Sequence, residues 1–253
     1  VWSQQAYIKP SSTGKGYNFG RSVALSGDGN TLAVGAVGQS GAVYVFVRAN
    51  NVWSQQAHVK ASNAESGDVF GQSVALSTDG NTLAVGACYE DSAATGVDGD
   101  QANNNAMDSG AAYVFVRANN VWSQQAYVKA SNTGANDWFG WALRLSADGN
   151  MLAVGAYNED SAAAGVGGDQ ANNANNNAGA VYVFVRANDI WSQRAYVKAS
   201  NPATNDKYGT ALALSGDGRL LVAGAPSEAS AAVGIGGDQA DNSVPFAGAV
   251  YLY

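Results

Sequence analysis

Phe70-Gly71-Gln72-Ser73-Val74-Ala75-Leu76-Ser77-Thr78-Asp79-Gly80-Asn81-Thr82-Leu83-Ala84-Val85-Gly86-Ala87 is two short apolar runs joined by an Asp-Gly turn. That pattern predicts a tight antiparallel hairpin. The string recurs with little change at Phe19-Gly20, Phe139-Gly140 and Tyr208-Gly209, each followed by Gly35-Ala36, Gly155-Ala156 or Gly224-Ala225. Downstream of each lies a further apolar run such as Val43-Tyr44-Val45-Phe46, and each copy opens on Trp-Ser-Gln, at Trp2, Trp53, Trp122 and Trp191. The copies run approximately over 1–51, 52–120, 121–189 and 190–253, which predicts one repeat domain spanning the chain.

Each copy reads as four runs of β-branched and aromatic residues, too short for globular helices, and hence as one four-stranded antiparallel sheet. Leu83-Ala84-Val85 and Val181-Tyr182-Val183-Phe184-Val185 are apolar at successive positions rather than alternating, so both faces of these strands are covered. Doubly covered sheets repeated about an axis are the blades of a β-propeller. The small residues Ser22, Ser73, Ala142 and Ala211 form a column suited to close packing. The alternative is an open stack of the same sheets. The Trp-to-Trp spacings of 51, 69 and 69 differ mainly in one loop, brief at Val37–Ser40 and long elsewhere, as at Tyr157–Ala178.

Composition narrows the partners. Only 13% of the residues are charged and the net charge is −7. Binding nucleic acid needs clustered Lys and Arg to neutralise phosphates, so nucleic acid is not expected as a partner. No apolar run is long enough to suggest insertion in a membrane. Cys88 is the only cysteine, so an intrachain disulfide is excluded. A chain that opens at Val1 reads as a processed product or an excerpt.

The string aromatic-Gly-x-Ser/Ala, then Leu-Ser-x-Asp-Gly-Asn, Val-Gly-Ala and Gly-Ala-Val-Tyr-Val-Phe resembles the FG-GAP repeat, four times over essentially the whole chain. That family builds the β-propeller at the head of integrin alpha chains and of many bacterial surface proteins; the tandem bacterial versions look closest. The resemblance implies an extracellular or cell-surface recognition module without catalysis. It also implies that the aromatic-Gly strand is innermost and the Trp-Ser-Gln strand outermost. Trp2–Lys9 is then an outer strand lacking inner partners, and Gly248–Tyr253 a third strand lacking a fourth. The expected fold is accordingly all-β, a propeller of four four-stranded blades, closed by the N-terminal strand completing the last blade. The same complementarity between molecules gives the alternative, an open array or head-to-tail filament.

Calcium is the one cofactor the resemblance raises. Ca²⁺ takes six to eight oxygen ligands, yet each hairpin turn carries a single carboxylate (Asp28, Asp79, Asp148, Asp217), which reads as an ordinary turn cap. The long loops are the better oxygen-rich candidates, with Glu90, Asp91, Asp98 and Asp100 in one and Glu159, Asp160 and Asp169 in another. No catalytic set emerges: His58 is the sole histidine and replaces a tyrosine of the other copies, and Cys88 fills a position held elsewhere by Val37, Tyr157 and Pro226. The residues that break the repeat are more informative. Trp138 and Trp141 flank the third aromatic-Gly pair, and Arg144 interrupts a small-residue column. Such a group suits stacking on a sugar or anchoring a protein. The expected function is a non-catalytic extracellular binding or adhesion module, whose partner is a protein or glycan at a cell surface or another copy of itself. A structural filament and a lectin are the alternatives.

Overall fold

The computed structural model describes residues 1–253 and contains fifteen strands and no helix. The first blade comprises β1 (Phe19–Leu25), β2 (Thr31–Ala36), β3 (Ala42–Ala49) and β4 (Val52–Val59). The second comprises β5 (Ser73–Leu76), β6 (Thr82–Ala87), β7 (Ala111–Ala118) and β8 (Val121–Val128). The third comprises β9 (Ala142–Leu145), β10 (Met151–Ala156), β11 (Ala180–Ala187) and β12 (Ile190–Val197). The last contains β13 (Ala211–Leu214), β14 (Leu221–Ala225) and β15 (Ala249–Leu252). Every pairing is antiparallel between sequence neighbours, and β1, β5, β9 and β13 lie against one another in turn. This is the four-bladed β-propeller that the repeat predicts. A blade is offset from a sequence copy by one strand, because the Trp-Ser-Gln strand pairs with the sheet before it.

One backbone contact sets the spacing of blades. A Cβ on Gly35 would fall inside the carbonyl of Gly71 in the next blade; Gly86 stands in the same relation to Gly140, and Gly155 to Gly209. Ser22 and Ser73 donate their hydroxyls to the carbonyls of Gly71 and Gly140, at 2.7 and 2.8 Å. Only glycine permits sheets to approach this closely. Val74, Leu143 and Leu212 are buried in the faces so formed, as are Val43, Val45, Val114 and Val181 on the opposite sides.

The outer edges are joined by side chains. Gln56 Oε1 accepts from Trp122 Nε1 at 3.0 Å and from Arg117 Nη1 at 3.0 Å, and the Arg117 guanidinium lies 5.3 Å from the Trp122 ring. Gln125 serves Trp191 and Arg186 in the same way. This is the structural role of the repeated Trp and Gln.

The strand closure expected at the ends is not formed. Val1–Lys9 belongs to no strand, and the fourth sheet has three strands with β15 at its outer edge. The N-terminal segment lies instead on the first blade, where Gln5 Oε1 accepts from Trp53 Nε1 at 3.2 Å and Arg48 Nη1 at 3.1 Å, and Ile8 packs near Tyr44 and Phe46. It therefore occupies the place of a preceding blade's outer strand. The joint between the fourth and first blades is open: Val23 is 65% exposed where its counterpart Val74 is 6%, and Val250 is 64% exposed where Val43 is fully buried.

Each long loop of the second and third blades is tied down by a buried ion pair. Lys129 Nζ lies 2.8 Å from Glu90 Oε2, and Lys198 Nζ lies 2.7 Å from Glu159 Oε2, all four side chains being almost wholly buried. Burial pulls both lysines down from their ordinary range, opposed by the neighbouring glutamates. Glu90→Gln leaves the Lys129 charge buried without its anion, at an expected cost of about 3–5 kcal/mol in urea unfolding; a loss within error of zero would contradict this assignment.

Burial, reinforced by the charge of Glu159, pushes the Asp137 carboxyl up to about 7. The folded state thus holds a proton that the unfolded chain releases from its ordinary 3.8. The associated stability is complete below about pH 4 and is lost as pH rises to about 7. Asp137→Asn removes that loss, so the difference in Tm between variant and parent should shift in the variant's favour from pH 4 to 7. A difference independent of pH would contradict this.

Candidate functional site

The residues flanking the aromatic-Gly pair sit where the chain enters each inner strand. The residue before the pair adopts a left-handed backbone in every blade: φ is 49° at Asn18, 53° at Val69, 58° at Trp138 and 59° at Lys207. Asn tolerates this region, whereas a bulky side chain occupies it at a cost. The third blade thus places an indole where backbone conformation alone would choose Asn.

The following turn, in which Trp141 N–H donates to Trp138 C=O at 3.2 Å, brings the two indoles to one side. Their rings stack 5.8 Å apart with planes 20° from parallel. Tyr157, just beyond β10, meets both edge-on at 5.2 and 4.9 Å, and Tyr89 of the second blade's loop lies 5.3 Å from Trp138. Lys207 Nζ from the fourth blade stands 5.8 Å from the Tyr157 ring. An aromatic surface spanning three blades results. Both indoles are half-buried, and Trp138 Nε1 is a buried donor without an acceptor. Sequence reasoning identified the two tryptophans as exceptions to the repeat, but missed Tyr89, Tyr157 and Lys207, which come from separate blades. Arg144 lies outside this group. It is exposed on β9, donates Nη1 to Leu143 C=O at 2.7 Å, and makes no cation–π contact with either indole.

The loop carboxylates are not gathered into a metal site. Glu90 accepts from Lys129, from Tyr127 Oη at 2.7 Å, from Asn63 Nδ2 at 2.9 Å and from Ser92 N at 3.1 Å. Asp91 accepts from Asp108 N, Asp98 from Tyr127 N and Asp100 from Ala102 N. Glu159 accepts from Lys198, Tyr196 and Asn132, Asp160 from Asn177 N and Asp169 from Ala171 N. The loop cation site expected from the sequence is thus not assembled: no group of three or more His, Cys, Asp or Glu side chains is placed to hold a metal ion. At the hairpins, Asp28 accepts from Ser26 Oγ, Asn30 N and Asn30 Nδ2, which hold its carboxyl down at about 2. These turns close on their own donors.

The remaining singular residues and the polar groove are engaged in packing and internal bonds. His58 stacks on Tyr44 at 4.7 Å, the place of Tyr127 on Tyr113. Burial lowers its pKa further. Cys88 is buried and its thiol is pushed up to about 12, so it holds no thiolate for attack. A polar groove of about 530 Å³ between the first two blades is lined by Arg48 and Arg117. Both guanidiniums are already bonded, to Asn30 and Gln5 and to Asn81 and Gln56.

Among solved structures, hydrazine synthase from Kuenenia stuttgartiensis aligns at a TM-score of 0.50 with 15% identity, over 87% of this chain and 45% of that one. A periplasmic gluconolactonase from Pseudomonas aeruginosa aligns at 0.49 with 21% identity, over 80% and 48%. A putative 6-phosphogluconolactonase from Bacteroides uniformis aligns at 0.49 with 12% identity, over 92% and 57%. The chain spans about half the length of these structures, and at 15% identity the likeness to hydrazine synthase concerns fold alone. No curated protein matches the chain. The FG-GAP repeat model matches residues 2–46, 53–115, 122–184 and 191–253. With four matched copies and their glycine-built joints in place, the chain belongs to the FG-GAP repeat family.

Proposed function

We propose that the chain is an extracellular, non-catalytic binding module of the adhesion type, and that its third blade holds a glycan through the aromatic surface around Trp138 and Trp141. The stacked indoles carry this reading. Both depart from the repeat, Trp138 holds a backbone conformation unsuited to a bulky residue, and both side chains remain partly exposed. Sugar rings present apolar C–H faces that stack on indole, and the Lys207 ammonium offers a polar contact at the margin.

A catalytic reading has less to support it. His58 is engaged in a ring stack, Cys88 is buried, and the buried glutamates are neutralised by lysines, so no nucleophile is paired with a base. The extracellular assignment follows the habit of the family.

The test exchanges the two tryptophans for residues that other copies carry at the same positions. Trp138→Asn with Trp141→Gln restores Asn18 of the first blade and Gln72 of the second, so the fold is retained. On a glycan array, the parent should give discrete signals that the double variant loses by at least about tenfold, as expected when a stacking anchor is removed. A parent without any glycan signal, or signals that survive in the variant, would overturn the proposal.

A further inference from the structure

The outer strand of each complete blade pairs on one side only, and the second and third blades cover the end of its free edge with their own long loops. Gly96 C=O accepts from Lys129 N at 2.7 Å, while Gly96 N and Asp98 N donate to the carbonyls of Ala130 at 3.2 Å and Tyr127 at 2.8 Å. Val97 thereby faces Val128 as in an antiparallel ladder. Asp98 adds a side-chain bond, its Oδ1 accepting from Tyr127 N at 2.9 Å. In the third blade, Gly165-Val166-Gly167 lies on Tyr196, Val197, Lys198 and Ala199 in the same way.

The first blade has the same edge with nothing on it. His58, Val59, Lys60 and Ala61 correspond to Tyr127, Val128, Lys129 and Ala130. No hydrogen bond within the protein reaches Lys60 N, His58 N, His58 C=O or Ala61 C=O. The cause is local: the β2–β3 connection is Val37–Gly41, against Cys88–Gly110 and Tyr157–Gly179 in the other two blades, and is too short to reach round to β4. His58 and Lys60 are exposed where Tyr127 and Lys129 are buried. Lys60 Nζ donates to Ser40 Oγ at 2.7 Å, as Lys129 does to Ser109, yet it meets no carboxylate. An unpaired edge is a template for another strand, and here it carries a free cation on a chain of net charge −7.

We propose that this edge of the first blade binds an extended acidic peptide, held antiparallel to His58–Ala61 as the other blades hold their own loops. The internal occupants define its chemistry. Gly96 and Gly165 sit at φ 73° and 70°, and Asp98 and Gly167 at 55° and 75°. The left-handed region suits Gly at the first position and Asp or Gly at the third. Between them stands an apolar residue. Set opposite Val59, it faces a cleft of about 560 Å³ between β4 and β8 whose lining includes Val59, Phe115 and Trp122. Val97 packs in the corresponding way on the apolar cluster that contains Val128. Asp at the third position accepts from His58 N and gains from the Lys60 charge two residues along the edge. Main-chain bonds supply the affinity, and the apolar and acidic side chains the selectivity.

Amide NMR of the isotope-labelled chain tests this with the acetylated, amidated peptide of residues 93–101, Ala-Ala-Thr-Gly-Val-Asp-Gly-Asp-Gln. The amides of His58, Lys60 and Ala61 should shift and saturate with a Kd of about 1 mM or tighter, in the range of a short added strand. The same peptide N-methylated at its first Asp loses the bond to His58 C=O and should not bind. Lys60→Glu should weaken the parent peptide by about fivefold, the effect of reversing one exposed charge. No shift at these amides up to about 5 mM peptide, equal binding of the N-methylated peptide, or shifts confined to other blades would each overturn the proposal. So would shifts at His58–Ala61 that follow protein concentration without peptide, because a second copy would then hold the edge.

Discussion

The approach of one blade's backbone to the next is the constraint on which the rest depends. Where Gly35, Gly86 and Gly155 abut the carbonyls of Gly71, Gly140 and Gly209, no side chain intervenes, and the inner strands sit as near as main chains allow. That proximity lets Ser22 and Ser73 reach across and leaves no space between the valine and leucine faces. It also explains why glycine recurs in both halves of the motif: one glycine yields the space and the other presents the carbonyl.

Away from the axis the blades diverge, and side chains take over. Gln56 and Gln125 each bind the Trp and Arg of the following blade, so the rim is held by hydrogen bonds and cation–π contacts rather than by backbone packing. Within the second and third blades, a buried glutamate gathers the long loop, the third strand's tyrosine neighbour and the outer strand's end onto one carboxylate. The first blade, whose loop is short, lacks that glutamate, and Lys60 donates to Ser40 Oγ instead. Loop length and the glutamate change together, which fits an anchoring role for it.

The blades were legible because the signals that define them are local: an Asp-Gly turn, short apolar runs and glycine at fixed intervals. His58 and Cys88 were legible as substitutions within a column; in the structure one stacks on Tyr44 and the other is buried. The acidic loop residues were misleading. Glu90 looked like an oxygen ligand beside Asp91, whereas its partner Lys129 lies 39 residues onward, just past the strand that opens the next sequence copy. Nothing near Glu90 in the sequence announces a lysine. The aromatic surface was half legible: Trp138 and Trp141 stood out as exceptions, but Tyr89, Tyr157 and Lys207 join them only through the juxtaposition of three blades. The strand complementarity of the ends followed from the family resemblance, whereas the position of Val1–Lys9 on the first blade depended on Gln5 finding Trp53 and Arg48.

Three joints of one design are thus complete within the chain. Urea unfolding of Gly86→Ala beside Gly224→Ala addresses that design most directly. The first sets a methyl group against the Gly140 carbonyl and should cost about 2 kcal/mol or more, whereas the second meets nothing nearer than Ala211 Cβ at 3.6 Å and should unfold with the parent to within about 0.5 kcal/mol. Equal stabilities of the two variants would contradict the account.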